Sequence, residues 1–159
     1  MYVLNRRSRR RADRTRGQSL VEFSLVIIPF TFLIMGIFDL GRGIYQMNGT
    51  AEAAREIARV TSVHSGCGIN ALSCDMGSST ETANVVATQR GLVPGLTINT
   101  STDITCVDIN DVVIPDEDCA WGVDYVRVRV RSGFTPITPI VSMFGSHTFE
   151  SYSRVRYYP

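Results

Sequence analysis

The pattern of hydrophobic positions divides the chain into a polar leader, one long apolar segment and a mixed downstream region. Sixteen consecutive residues from Phe23 to Phe38 carry no charge, and apolar neighbours extend the segment to about residues 20–40. At a rise of about 1.5 Å per residue, a helix of this length crosses the roughly 30 Å hydrocarbon core of a bilayer. The pattern therefore predicts one membrane-spanning helix, which Pro29 is expected to kink because proline removes a backbone hydrogen bond.

Helical periodicity continues beyond the apolar segment. Apolar side chains recur at helical spacing, and charged side chains fall largely on the opposite side. The recurring apolar positions are Ile44, Met47, Ala51, Ala54 and Ala58. We expect the N-terminal helix to occupy residues 18–63 and to stop before Gly66. Three glycines thin its surface and provide either a hinge or a close-packing face: Gly41, Gly43 and Gly49.

The downstream region, residues 64–159, begins with a loop and a second helix. Periodicity predicts that helix from Thr80 to Arg90. Ser78 and Glu81 have the spacing of a capping box at its start, and Gly91 suits the left-handed position that ends a helix.

The remaining sequence changes to strand periodicity. Strands are predicted at Leu96–Val107, Val126–Arg131 and His147–Tyr157, where β-branched residues or strict alternation occur. The proline-containing segment 134–145 cannot be a central strand and is expected to pack on the helix or to face a partner. We therefore predict an α+β fold, with a small antiparallel sheet of three or four strands on the outer part of a long, partly transmembrane helix.

Charge is distributed unevenly along the chain. Residues 1–16 contain seven arginines and one aspartate, whereas residues 60–126 contain one arginine and nine acidic residues. Basic residues next to a membrane span remain on the cytoplasmic side. We therefore expect a flexible cytoplasmic leader at residues 1–17 and a periplasmic or extracellular domain at residues 64–159. No aromatic or loop pattern indicates nucleic-acid binding, and the apolar run lacks the Ala-x-Ala site of a secretory signal peptide.

Four cysteines follow the apolar segment: Cys67, Cys74, Cys106 and Cys119. An even number confined to one side of a membrane span suggests an oxidising compartment and two disulfides. Three pairings are possible. The sequence-local pairs are favoured because each closes a short polar loop.

Candidate catalytic and metal sites are weak. The spacing of His64, Cys67, Cys74 and Asp75 matches no common zinc pattern. The acidic residues between Asp103 and Asp118 lack the calcium-loop pattern, and Ser146–His147 lacks a nucleophile turn. We expect no enzyme activity, metal or cofactor. Trp121 is expected to pack in the core beside the disulfide of Cys119.

The N-terminal motif resembles a known processing signal. Arg16-Gly17-Gln18-Ser19-Leu20-Val21-Glu22-Phe23 is similar to the class III prepilin site, in which a basic leader, a glycine and four residues precede Glu-Phe at the start of a hydrophobic helix. Together with Asp39-Leu-Gly-Arg42 and the Ala53–Arg59 segment, it resembles the TadE/TadG-like minor pseudopilins of tight-adherence (Flp) pilus systems. The Phe-x-Pro-Ile-x-Pro run after Gly133 is similar to the later part of that family.

The resemblance implies cleavage after Gly17 by a prepilin peptidase, which removes residues 1–17 and leaves Gln18 as the mature N-terminus. It also implies that Glu22, followed by Phe23, meets the free amine of a neighbouring subunit during assembly. A carboxylate at the membrane edge is costly unless it is paired, although Glu22 could simply reach the interface.

The function implied is a minor pseudopilin that helps to assemble a pilus, at its tip or in priming, and that contributes to surface adhesion. Its expected partners are other pilin subunits, the prepilin peptidase and the assembly platform of the inner membrane. The downstream domain is much larger than a short major pilin would need, which favours an accessory subunit. The alternative is an uncleaved single-pass anchor that presents a ligand-binding domain outside the membrane.

Overall fold

One helix, α1, connects the apolar segment to the downstream domain. The structure is a computed structural model that describes residues 7–67, 74–143 and 145–158. α1 spans Arg7–Val63, is 57 residues long and continues through Pro29. It therefore begins within the leader that the sequence indicated to be flexible. Arginine is a good helix former, and extending an existing helix needs no new nucleation, which explains the earlier start.

The second helix, α2, spans Thr80–Leu92, close to the prediction. Its cap differs by one residue: the Ser79 side chain accepts the Thr82 N–H at 3.1 Å, whereas the predicted cap Ser78 donates to the Asp75 carbonyl. The helix also continues through Gly91. Beyond the end of this helix, the backbone becomes left-handed at Gly95, at φ 70°, where the chain turns into the sheet.

Within the described residues, the sheet has five antiparallel strands, rather than the three or four predicted. They are β1 Leu96–Thr97, β2 Ile104–Val107, β3 Val113–Ile114, β4 Tyr125–Phe134 and β5 His147–Arg156. β4 is central. β5 pairs along its whole length on one edge, β2 and β1 share the other edge, and β3 pairs with β2. The α+β fold is thereby confirmed.

The strand predicted at 96–107 is divided by a short helix, α3, at Thr100–Asp103. The Asn99 side chain accepts the Ser101 N–H, and the Asp103 carboxylate accepts the Asn99 N–H at 2.9 Å. These local side-chain bonds compete with strand pairing and turn the chain between β1 and β2. A further one-turn helix, α4, spans Pro139–Ser142 in the proline-containing connection.

The hydrophobic core lies between the C-terminal half of α1 and the face of the sheet that packs against it. Small side chains of α1 face a row of β4 valines, so the helix and the sheet approach closely. The fully buried residues in this contact are Ala53, Ala54, Ile57, Ala58, Val126, Val128 and Val130. The C-terminal half of α1 is thus a structural part of the domain.

Two disulfides close surface loops. Cys67 pairs with Cys74 and Cys106 pairs with Cys119, with Cα–Cα distances of 4.9 and 6.0 Å. Both are sequence-local pairs. The prediction for Trp121 is wrong, since its side chain is 52% exposed. The core is occupied instead by Tyr157, which is buried in the cluster against which Cys119 packs.

Candidate assembly surface on the N-terminal helix

The side chains of residues 17–34, in the first half of α1, are all exposed. Its apolar side chains from Leu20 to Phe38 project outward, and Phe23 is 65% exposed. This helix is long and apolar enough to cross a membrane. A continuous apolar surface of this length needs either lipid or other apolar helices around it. The arrangement is consistent with a single-pass membrane anchor that is joined to a folded domain.

The sequence-predicted site residues lie on one uninterrupted helical stretch. Gly17, Gln18, Glu22 and Phe23 are all exposed. Among the described residues, nothing beyond the adjacent helix backbone lies within 4 Å of the Cβ that a side chain at position 17 would add. Gln18 and Glu22 are four residues apart and therefore lie on the same side of α1. The structure leaves this end accessible to other proteins.

At the other end of the anchor, Asp39 attaches the helix to the distant connection between β4 and β5. Its carboxylate is buried and accepts the N–H groups of Ile137, at 3.0 Å, and Thr138, at 2.6 Å. The predicted pair with Arg42 also forms, at 3.3 Å. Hydrogen bonds from backbone N–H groups to a carboxylate are among the stronger ones in proteins.

The Asp39 contact could not be predicted from the sequence. Asp39 and Thr138 are 99 positions apart, and the i,i+3 spacing to Arg42 already supplied a local explanation for the carboxylate. The sequence left two possibilities for segment 134–145, packing on the helix or facing a partner. The structure docks its first part on α1.

An apolar groove lies beside this attachment. It has a volume of about 530 Å³ and runs along α1 from Gly36 to Met47. Its walls include Leu40, Ile44, Met47, Phe134, Val141 and Phe149. The two phenylalanine rings are 5.7 Å apart and lie over Gly43, where an added Cβ would meet them at the ordinary contact distance of 3.7–3.9 Å. The predicted close-packing role fits Gly49, since an added Cβ there would lie only 3.0 Å from a methyl group of Val93.

The groove is continuous with the exposed apolar surface of the anchor. It begins in the last turn of the predicted span and ends nine residues beyond Phe38, about 14 Å further along the axis. Ile44 and Met47 are 53% and 60% exposed, although they lie outside the span. The apolar surface therefore extends from the membrane region onto the base of the domain.

Residues 17–59 match the family of TadE-like proteins. The match begins at the predicted processing glycine and includes the anchor, Asp39 and the alanines of the core contact. It confirms the family resemblance and is consistent with a component of the tight-adherence pilus system. The sheet lies outside the matched segment. No match to the chain was found among curated proteins or solved structures.

Acidic and cysteine residues that lie close together in the domain have structural roles. Cys106, Cys119 and Asp124 lie close together, but both sulfurs form a disulfide and Asp124 accepts the Ala120 N–H at 2.7 Å. The carboxylate of Asp108 accepts the Val112 and Asn110 N–H groups. The Val112 N–H bond is the largest influence lowering the pKa of Asp108. These carboxylates hold tight turns.

We predict that Asp39→Ala releases the connection between β4 and β5 without unfolding the domain. A hydrogen bond to a charged group contributes about 1.5–3 kcal/mol, so amide exchange at Ile137 and Thr138 should accelerate by at least about tenfold. Glu52→Ala is the matched control, because Glu52 forms an exposed i,i+3 pair with Arg55 on the same helix. Unchanged exchange at both amides, measured by hydrogen–deuterium exchange, would contradict the assigned role of Asp39.

Proposed function

We propose that this protein is a minor pseudopilin of a tight-adherence pilus, a structural subunit that acts by contacts with other pilin subunits. The observation that carries the proposal is the apolar surface of α1, which continues without a break from the TadE-like segment's anchor into the groove at the base of the domain. If α1 served only as a lipid anchor, the apolar surface within the membrane span would be sufficient. The groove needs an apolar partner outside the hydrocarbon core.

The partner with the required chemistry is the apolar helix of a neighbouring subunit. Groove side chains such as Ile44 and Met47 are half exposed, and full burial of such a side chain stabilises by about 1.5–3 kcal/mol. The glycine at position 43 thins the helix surface, which favours close helix packing. A neighbouring anchor that enters the groove would cover the apolar surface as the subunit leaves the bilayer.

Processing at Gly17 fits the same role. Helical backbone must unwind locally for a protease to reach it, and glycine lowers that cost because it is a poor helix former. Removal of residues 1–17 takes away seven arginines and one aspartate, and leaves a chain with a net charge of −5. We infer that the prepilin peptidase and the inner-membrane assembly platform act on the chain before its domain, outside the membrane, enters a pilus.

Glu22 is the second assembly element in this proposal. A carboxylate inside the edge of a membrane is costly without a partner, and the new amino group of a processed neighbour at Gln18 supplies one. The pair would set the axial position of one subunit relative to the next. A tip or priming position, and a contribution to adhesion, are compatible with the large outer domain.

We predict that Glu22→Ala leaves membrane insertion unchanged and lowers incorporation into pili by at least about tenfold, as expected for the loss of one charge-assisted contact. The measurement is the ratio of this protein in sheared pili to that in membranes. Ser24→Ala is the control, since the Ser24 hydroxyl bonds only to the Leu20 carbonyl of its own helix among its described contacts. Normal incorporation of the Glu22 variant would favour an uncleaved anchor that presents a binding domain.

We predict a separate effect for the groove. Ile44→Asp should reduce incorporation by at least about tenfold, because it places a charge where an apolar helix docks. Tyr45→Asp changes the adjacent exposed side chain, which is 67% exposed and does not line the groove, and should be tolerated. Equal effects of the two substitutions on incorporation, at equal protein levels in the membrane, would show that the groove has no special role.

A further inference from the structure

The outer face of the sheet carries five arginines and two tyrosines on two adjacent strands. The register of β4 and β5 places Tyr125 opposite Arg156, Arg127 opposite Arg154 and Arg129 opposite Tyr152. Directly opposed residues of an antiparallel pair project to the same side, so all of these side chains share one face. Arg131, opposite Glu150, continues the same row.

The arginines nearer the membrane have acidic partners. The buried Asp103 carboxylate lies 2.7 Å from Arg129 and 3.0 Å from Arg131, and Glu150 lies beside both. Burial raises the pKa of Asp103, but the Asn99 N–H and the two guanidinium groups outweigh it and hold the pKa below its usual range. This half of the face is neutralised within the domain.

The arginines at the far end are arranged differently. In the part of the chain that the structure describes, Arg154 and Arg156 lie within 4.0 Å of no carboxylate oxygen. The Arg154 guanidinium lies 3.8 Å from the centroid of the Tyr125 ring, and Arg156 donates to the Tyr125 hydroxyl at 3.3 Å. Arg154 also donates to the carbonyls of Asp108 and Ile109. Both side chains are held in place and exposed.

This arrangement is unfavourable for the sheet itself. Arg127 and Arg154 are directly opposed, and like charges in that position destabilise an antiparallel pair. Asp111 forms an ion pair with Arg127, at 3.2 Å, whereas Arg154 interacts with a carboxylate only at longer range, through the attraction that helps to lower the pKa of Asp108. A shallow pocket of about 540 Å³ lies between them, lined by Asp111, Arg127, Tyr152, Ser153 and Arg154. An anionic group in this pocket would relieve the repulsion.

The position of the cluster excludes the membrane surface as its partner. The Tyr158 N–H donates to the Ser62 carbonyl at 2.9 Å, so the end of β5 lies beside the end of α1. Ser62 is 24 residues beyond Phe38, which corresponds to about 36 Å along the helix. Electrostatic screening acts over about 8–10 Å at physiological salt. The partner must therefore approach from the side away from the membrane.

We propose that this outer face, centred on Arg154, Arg156 and Tyr125, binds a carboxylate-bearing polysaccharide. Planar guanidinium groups bind carboxylates with two parallel hydrogen bonds, and the ring of Tyr152 on the same face, which is 57% exposed, is available for the apolar face of a sugar. The proposal relies on the proposed function only for the location of the domain outside the membrane. Binding by the purified chain does not depend on incorporation into a pilus.

A polymer with widely spaced charges fits this face better than a nucleic acid. Asp103, Asp111 and Glu150 form ion pairs with arginines of this face, and Asp108 lies close enough to Arg154 to feel its charge. Nucleic acids carry dense backbone charge, which these carboxylates would repel. A sugar chain can place single carboxylates on Arg154 and Arg156 between these acids.

The test is binding of the full chain, in micelles of an uncharged polyoxyethylene detergent, to immobilised polygalacturonate. Dextran serves as the neutral polysaccharide, and a single-stranded oligonucleotide and poly-glutamate as the other anionic polymers. We expect binding to polygalacturonate that weakens with salt, and little binding to dextran. Arg154→Gln with Arg156→Gln should reduce affinity at least about tenfold, because two charge-assisted contacts are lost.

Arg55→Gln with Arg59→Gln is the control of equal charge change, since both arginines are exposed on α1. Arg154→Lys with Arg156→Lys keeps the charge but lacks the planar fork, and should give intermediate affinity. Circular dichroism establishes that each variant is folded. Binding to dextran as tight as to polygalacturonate, tighter binding to the oligonucleotide or to poly-glutamate, or equal losses in the α1 control would overturn the proposal.

Discussion

The contact between the small residues of α1 and the valines of β4 determines the position of every other element in the domain. Ala53, Ala54 and Ala58 let the helix lie close to the sheet, and Val126, Val128 and Val130 fill the space between them. Since α1 is continuous, the same contact fixes the direction in which the anchor leaves the domain. The direction of the apolar helix is thereby coupled to the position of the sheet without a flexible linker between them.

Polar contacts maintain this arrangement along the length of the helix. Near the membrane, Asp39 accepts the Ile137 and Thr138 N–H groups. Further out, the Gln46 side chain donates to the carbonyls of Pro94 and Gly133, and the Thr50 hydroxyl bonds to Ser132. Each bond satisfies a polar group that the helix–sheet contact removes from water. The exposed apolar groove lies beside the first of these attachments.

The sequence predicted the elements whose pattern is local. Alternation along Val126–Arg131 predicted the central strand, and helical spacing beyond Phe38 predicted that α1 forms part of the domain. The side chains of Asn99 and Asp103 divide the predicted strand 96–107 by hydrogen-bonding to nearby backbone N–H groups. Their tendency to form such bonds is a local property, but whether these bonds replace strand pairing depends on the rest of the sheet. The Asp39 attachment, the groove and the arginine cluster arise from contacts between segments that are distant in sequence. The spacing of apolar and polar residues within one segment cannot predict such contacts.

In the proposed function, α1 is an assembly helix whose mature N-terminus is Gln18. The most direct measurement is the intact mass of the protein isolated from membranes and from sheared pili, with sequencing of its N-terminal peptide. We predict a chain that lacks residues 1–17, and a Gly17→Leu variant that keeps them and is absent from pili, because a bulky side chain blocks the protease. A native protein in pili that still begins at Met1 would contradict the account.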